Sequence, residues 1–306
     1  MKTRDLTDLL LLAAIWGASF LFMRIAVPAF GAAPLAFVRV GGAALVLLPL
    51  LLMRGEAGVL RQRWPALLLL GLTNSALPFL CFGFALHLLP AALASIFNAA
   101  TPLTTALIAW AWLGDPLNRW RSLGLGLGFA GVAGLALYKS MSAPGGGSLA
   151  TLQFDAPTAL AIGACLLGTL FYGHAGNFAK RHLTGVPSMA MATGTQLAAA
   201  AALAVPAALT WPVTPPGLRD WAAAAGLAVL ASGLAYILYF RLITRVGPTG
   251  AASVTFLVPV FATLWGALFL GEQPTWPMAA GGALILAGTA LVLGLWPRPR
   301  RAAAST

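Results

Sequence analysis

The sequence predicts an all-α polytopic membrane protein of ten transmembrane helices in two inverted five-helix repeats. Three observations carry this reading. Of 306 residues, 60% are hydrophobic and only 8% charged, and the mean hydropathy is +0.89, a balance foreign to water-soluble domains of this length. The apolar residues fall into runs of about 20, the length of helix that crosses the hydrocarbon core. The 34 glycines, many at helical spacing inside those runs, suit close helix packing in lipid and not the weak alternation of a barrel. Ten crossings use roughly 200 positions, so large soluble domains are excluded.

Charged residues and Pro/Gly breaks delimit the runs. The first helix, 6–27, follows Asp5, and the second, 33–53, ends at Arg54. The third, 65–87, begins after Arg61 and Arg63; the fourth, 90–112, runs from Pro90 to Gly114-Asp115-Pro116. The fifth, 119–138, lies between Arg119 and Lys139. A linker at 141–155, with Pro144-Gly145-Gly146-Gly147-Ser148 at its centre, is flexible by composition and precedes the sixth, 156–180. The seventh, 187–210, starts at Pro187, and the eighth, 218–242, after Pro215-Pro216-Gly217. The ninth, 248–270, starts at Pro248, and the tenth, 275–296, stops at Pro297, leaving a basic tail at 297–306.

Ten spans put both termini on one side, and the distribution of Lys and Arg says which. With the termini in the cytoplasm, fourteen of the eighteen Lys and Arg fall there, and only Arg24, Arg39, Lys139 and Arg219 lie elsewhere. The net charge of +11 therefore reads as topology and contact with anionic lipid, not as nucleic-acid binding. Lys2 and Arg4 before an apolar run resemble a signal peptide with a site at Val27-Pro28-Ala29. The run is longer than a signal's apolar region and its pattern returns in the second half, so the segment is expected to be retained. Cys81 and Cys165 read as small hydrophobes, not as a disulfide or metal pair.

Residues 1–140 and 156–296 form an internal repeat. At an offset of 157, Pro102 meets Pro259, Leu113-Gly114-Asp115 meets Leu270-Gly271-Glu272, Trp64 meets Trp221, and Gly124 and Gly131 meet Gly281 and Gly288. At an offset of 156, Trp16-Gly17 meets Tyr172-Gly173, Phe22 meets Phe178 and Arg24 meets Lys180. Five helices per copy is an odd number, so the second copy must be inverted in the bilayer, with a binding site near the midplane where the halves meet.

Trp16-Gly17-Ala18-Ser19-Phe20 with Arg24, Pro34 and Arg39, then Pro102, Leu113-Gly114-Asp115-Pro116-Leu117, Gly124 and Gly131, resembles the EamA-type repeat of the drug/metabolite transporter superfamily over nearly the whole chain. Asp115 stands where that family usually has Glu, whereas Glu272 keeps it. Within the superfamily the chain is similar to bacterial YddG-type exporters of aromatic amino acids. The resemblance implies a carrier in the inner membrane that moves small amphipathic metabolites by alternating access, with no cofactor.

All seven acids, Asp5, Asp8, Glu56, Asp115, Asp155, Asp220 and Glu272, fall in loops or at helix ends, so the mid-depth carboxylate common in proton-coupled carriers is missing. His174 is the mid-membrane group suited to proton transfer, or else a neutral hydrogen-bonded histidine in a polar cavity. Ser95, Asn98, Thr101 and Thr105 share one face of the fourth helix. They either line a substrate path or bond neighbouring helices; the repeat partners Ala252, Thr255, Val258 and Ala262 argue that the scaffold alone does not need them.

Trp16, with Ser19 and Phe20 on its face, is mid-membrane, away from the interfaces where tryptophan collects. Tyr172, its repeat partner, and Asn177 join His174 among candidate binding residues of the sixth helix. Phe79 and Phe82 pair in the repeat with Tyr236 and Tyr239, and inversion would set one pair toward each side as gates or as plain core. Pro78, Pro102 and Pro259 break helices and free carbonyls, for a substrate ammonium or for Ser/Thr neighbours. Arg24 and Arg39 either bind headgroups and backbone carbonyls or attract a substrate carboxylate. Glycines 124, 128 and 131, with 281, 282 and 288, serve helix packing or a homodimer face.

A carrier of an anionic or lipid-linked metabolite is the rival reading, and it calls for more cavity cations than these two arginines. An intramembrane enzyme is disfavoured. Gly17-Ala18-Ser19-Phe20-Leu21 lacks the second glycine of a nucleophile elbow, and no paired acids or metal-ligand cluster stands at mid-depth.

The Lys/Arg asymmetry generates a test of topology. A cysteine introduced in the 139–155 linker should react with an impermeant reagent on intact cells, and Thr184→Cys should react only after permeabilisation. Labelling at 184 from outside would sink both the orientation and the inversion.

Overall fold

A computed structural model describes residues 3–141, 156–252 and 254–295; the linker from 142 and the basic tail lie outside them. The described residues form ten helices and no strand. They are α1 (Thr3–Phe30), α2 (Ala32–Met53), α3 (Ala57–Ala85), α4 (Ala91–Leu113), α5 (Arg119–Met141), α6 (Ala156–His182), α7 (Ser188–Leu209), α8 (218–252), α9 (Val254–Leu270) and α10 (Trp276–Leu293). Nine are long and apolar enough to cross a membrane, and α9 is a shorter apolar helix.

Two boundaries differ from expectation. The third helix begins at Ala57, not near 65, because Gly55 at φ 69° makes the turn and Arg61 and Arg63 extend the helix past its apolar run. The eighth continues to Ala252 through Pro248, where a break was expected. Part of the reason is that Arg241 and Arg245, one turn apart, both reach Asp8 of α1, which rewards keeping that turn helical.

Helix ladders are broken in α3, α4 and α8. Wider π-type turns occupy Leu72–Ala76, Ala109–Leu113 and Gly226–Leu234. The first lies just ahead of Pro78, and Pro102 follows a break in α4 between Asn98 and Thr101. The carbonyl that Pro102 cannot engage belongs to Asn98, and the Thr101 hydroxyl donates to it at 2.7 Å. Helix α9 runs through Pro259 unbroken.

Glycine sets the helix contacts. A Cβ on Gly17 of α1 would lie 2.6 Å from Phe261 Cβ and 2.9 Å from Ala262 N of α9. On Gly173 of α6 it would lie 2.9 Å from Thr105 N of α4. The aromatic-glycine pairs at 16–17 and 172–173 thus bring repeat-equivalent helices to backbone contact. Helices α5 and α10 meet in the same way: a Cβ on Gly124 would fall 2.6 Å from Gly288 O, and one on Gly131 2.9 Å from Gly281 O. These glycines are engaged within the chain, while Gly126 and Gly134 of α5 face open space.

Gly114 and Gly271, 157 residues apart, close α4 and α9 at φ 71° and 66°, a region that side chains avoid. The acids after them do different work. Glu272 accepts hydrogen bonds from Ala91 N at 2.7 Å and Ala92 N at 3.1 Å, capping α4 where its amides lack partners. Asp115 pairs with Lys180 at 2.9 Å on the surface.

This packing predicts that Gly124→Ala lowers thermal stability in detergent by about 1–3 kcal/mol through overpacking, whereas Gly126→Ala is neutral or slightly stabilising. Equal melting of the two variants would show that the α5–α10 seam is not close-packed.

Candidate functional site

A cavity of about 340 Å³ lies among α1, α2, α3, α4, α6, α8 and α9. Seven aromatic side chains line it. Trp16 and Phe20 come from α1, Phe79 and Phe82 from α3, Tyr172 from α6, and Tyr236 and Tyr239 from α8. Trp16 meets Tyr239 at a centroid distance of 5.3 Å and Phe82 meets Tyr172 at 6.3 Å. Under the internal repeat these are the same contact made twice. Phe20 packs edge-on against Phe82.

Polar groups enter the wall at a few points. Asn98 and Thr101 stand at the break in α4, Ser19 on α1, Asn74 at the π turn of α3, and Ser232 at that of α8. The Ser19 hydroxyl donates to Trp16 O at 2.6 Å, and Trp16 Nε1 donates to Ala231 O at 3.2 Å. Asn74 Nδ2 donates to the Tyr236 hydroxyl at 3.4 Å. The π turns of α3 and α8 and the break in α4 therefore coincide with four of these polar entries, as expected where irregular backbone borders a cavity in a membrane.

Arg39 is the charged member of the wall. It sits roughly two turns into α2 and is only 7% exposed. Its Nε donates to Ser232 Oγ at 3.1 Å and Nη1 to Met23 Sδ at 3.3 Å, and its guanidinium lies 3.8 Å from the Phe79 ring centroid. No carboxylate pairs with it among the described residues, and the described wall holds no acid.

The other candidates lie off the wall. The Ser95 hydroxyl is fully buried and donates to Ala92 O. Asn177 is buried, with Nδ2 donating to Thr105 O at 2.9 Å and to Gly173 O at 2.8 Å, so it ties α6 to α4. His174 stacks on Trp112 at 5.3 Å and on Phe178 at 5.9 Å. Arg24 donates to Leu86 O beyond α3. Pro78, Pro102 and Pro259 act on backbone shape and do not line the cavity.

Sequence reasoning left Asn74 and Ser232 out of the site and offered Arg39, beside Arg24, as either a structural or a carboxylate-attracting group. A signal for them existed. Residues 39 and 75 are matched at an offset of 157 by Gln196 and Ser232, and Gln196 Nε2 donates to Ser75 Oγ at 3.4 Å as Arg39 does to Ser232. Beyond the wall, Arg241 pairs with Asp8 at 2.7 Å, and Arg245 with Asp8 at 3.2 Å and Asp5 at 3.9 Å, joining the start of α1 to the end of α8.

The EamA-like transporter family model matches residues 7–137 and again 159–294. The uncharacterised transporter YvbV of Bacillus subtilis is 27% identical over 297 residues, covering 95% of this chain and 92% of that protein. A probable terminal-alkyne amino-acid exporter of Streptantibioticus cattleyicolor is 25% identical, covering 93% and 91%. The pseudopaline exporter CntI of Pseudomonas aeruginosa is 30% identical over 247 residues, covering 78% and 79%. A crystal structure at 22% identity superposes with a TM-score of 0.64, covering 96% of this chain and 98% of that one; it shows a shared fold.

The Asp8 ion pairs generate a test of closure at that end. Asp8→Asn should speed modification of a cysteine placed at Ser19 by a reagent added to inside-out vesicles, at least severalfold. Unchanged rates would mean that the pairs only staple two helix ends.

Proposed function

The chain belongs to the EamA-like transporter family, and from that premise we propose that it exports small amphipathic, amino-acid-like metabolites, aromatic ones preferred, across the bacterial inner membrane. On this reading the two five-helix halves are inverted, both termini are cytoplasmic, and transport proceeds by alternating access. The observation that carries it is the cavity, which combines a wide aromatic wall with a few polar groups at helix breaks. An amino acid with an aromatic side chain makes those two demands together. Two relatives named as exporters, one of a terminal-alkyne amino acid and one of pseudopaline, support the direction.

Paired contacts support a two-fold relation between the halves, which five helices per half would make an inversion. Helix α1 packs on α9 as α6 packs on α4, and α2 on α8 as α7 on α3. Exchanging each helix with its repeat partner turns one contact into the other. The ring contacts at the ends of the cavity follow the same exchange, with Trp16 and Tyr239 in one and Tyr172 and Phe82 in the other. Alternating access then consists of opening one of two equivalent aromatic contacts while the other stays shut, with Phe79, Phe82, Tyr236 and Tyr239 as gates.

Substrate contact is assigned to Trp16, Ser19, Phe20, Asn98, Thr101 and Tyr172, which share the wall. Asn98→Ala should weaken uptake of every amino-acid substrate in proteoliposomes by a similar factor, roughly five- to 150-fold, the worth of a buried hydrogen bond. Trp16→Ala should harm large aromatic substrates more than small ones, since it removes ring contact and leaves polar contacts. At matched membrane expression, equal loss of all substrates in both variants, or loss in neither, would return these residues to the scaffold.

A further inference from the structure

We propose that Arg39 is the carboxylate anchor of this cavity, and that the site holds a monoanionic carboxylate, such as an N-acylated amino acid, more tightly than the zwitterion with the same side chain. The proposal rests on the cavity being the substrate site.

The argument begins with what Arg39 lacks. A guanidinium has five N–H donors and no acceptor. Nε is used on Ser232 Oγ and one N–H of Nη1 on Met23 Sδ, a weak acceptor. The face is covered by Phe79, which offsets part of the desolvation. The remaining donors have no protein acceptor among the described residues, and no acid neutralises the charge. A buried cation without a counter-ion is costly, and the group best matched to its planar fork is a carboxylate.

The repeat separates scaffold need from charge. Gln196, the partner of Arg39, is fully buried and makes the equivalent hydrogen bond to Ser75, the partner of Ser232. A neutral amide thus satisfies this α2/α8-type contact in the other half. The positive charge at 39 exceeds what the packing requires, and it is aimed at the shared cavity.

Charge balance then ranks cargoes. An anion with one carboxylate cancels the charge of Arg39. A zwitterion brings a carboxylate but leaves the site at net +1, its ammonium accepted by neutral groups such as Asn98 and Thr101 in a described wall that holds no acid. An amino-acid amide adds a second cation and no carboxylate.

The test is binding to the purified full-length protein, read as ligand-induced thermal shift, with N-acetyl-L-phenylalanine, L-phenylalanine and L-phenylalaninamide. The expected affinity order is that order. Arg39→Gln, which copies the residue the other half tolerates at this position, should weaken N-acetyl-phenylalanine about ten- to 150-fold and leave the amide unchanged or improved. Arg39→Lys, keeping charge without the fork, should fall between. The unliganded melting temperature of Arg39→Gln reports whether it folds; if it fails to, the wild-type ligand order decides. Phenylalaninamide binding as well as the other two overturns the anchor but leaves the aromatic reading standing. Failure of all three to bind overturns that reading and the proposal with it.

Discussion

Hydrocarbon offers no hydrogen-bond partner, so most polar groups among the described residues are satisfied within the protein or turned toward the cavity. Nearly every local feature follows from that constraint. Where Pro102 withholds a donor, the Thr101 hydroxyl supplies one to Asn98 O. Asn177 spends its amide on two carbonyls. Trp265 Nε1 donates to Ala14 O at 3.0 Å, and Thr104 Oγ1 donates to Thr169 O at 2.7 Å, so side chains of α9 and α4 bond the very helices that Gly17 and Gly173 bring close. Glu272 takes up the free amides at the start of α4. Asn74, Asn98, Thr101 and Ser232, left at the cavity, stand beside broken ladders, while Ser19 and Arg39 reach it from unbroken helices.

The helix count and the family were legible because both rest on quantities additive along the chain, apolar length and a repeated pattern. Which residues meet at the cavity is a matter of angle, and there the reading was partial. A helix turns about 100° per residue, so Tyr172 and Gly176, four apart, share the wall, while His174 between them points about 200° away, toward Trp112. That arithmetic was available and argues against His174. Ser95 shares a face with Asn98, but its hydroxyl is spent on its own helix, a choice no spacing reveals. Arg39 and Ser232 are 193 residues apart; only the offset of the repeat connects them. The turn of α8 from Arg241 to Arg245 is tied by ion pairs to α1, which a window on one helix does not contain.

The two copies share a scaffold and differ in chemistry, and the differences are informative. The aromatic contact at one end uses Trp16 and Tyr239, and at the other Tyr172 and Phe82. Beyond the first contact lie Asp5, Asp8, Arg241 and Arg245. The residues matching the two arginines in the first copy are Phe84 and Leu88, which are apolar and exposed. One end is therefore joined by ion pairs where the matching positions at the other are apolar, so salt weakens the contacts of the first end more.

The described wall around Arg39, which holds no acid, also has an electrical side. Moving one elementary charge across a membrane is worth about 2.3 kcal/mol per 100 mV. With a monoanionic cargo the loaded site is neutral, because Arg39 stays in the wall, and each completed cycle carries one negative charge outward. An interior-negative voltage of about 100 mV then favours the outside concentration by roughly fiftyfold. Such a carrier adds the membrane voltage to its cargo's own gradient, with no proton-binding carboxylate in the described wall.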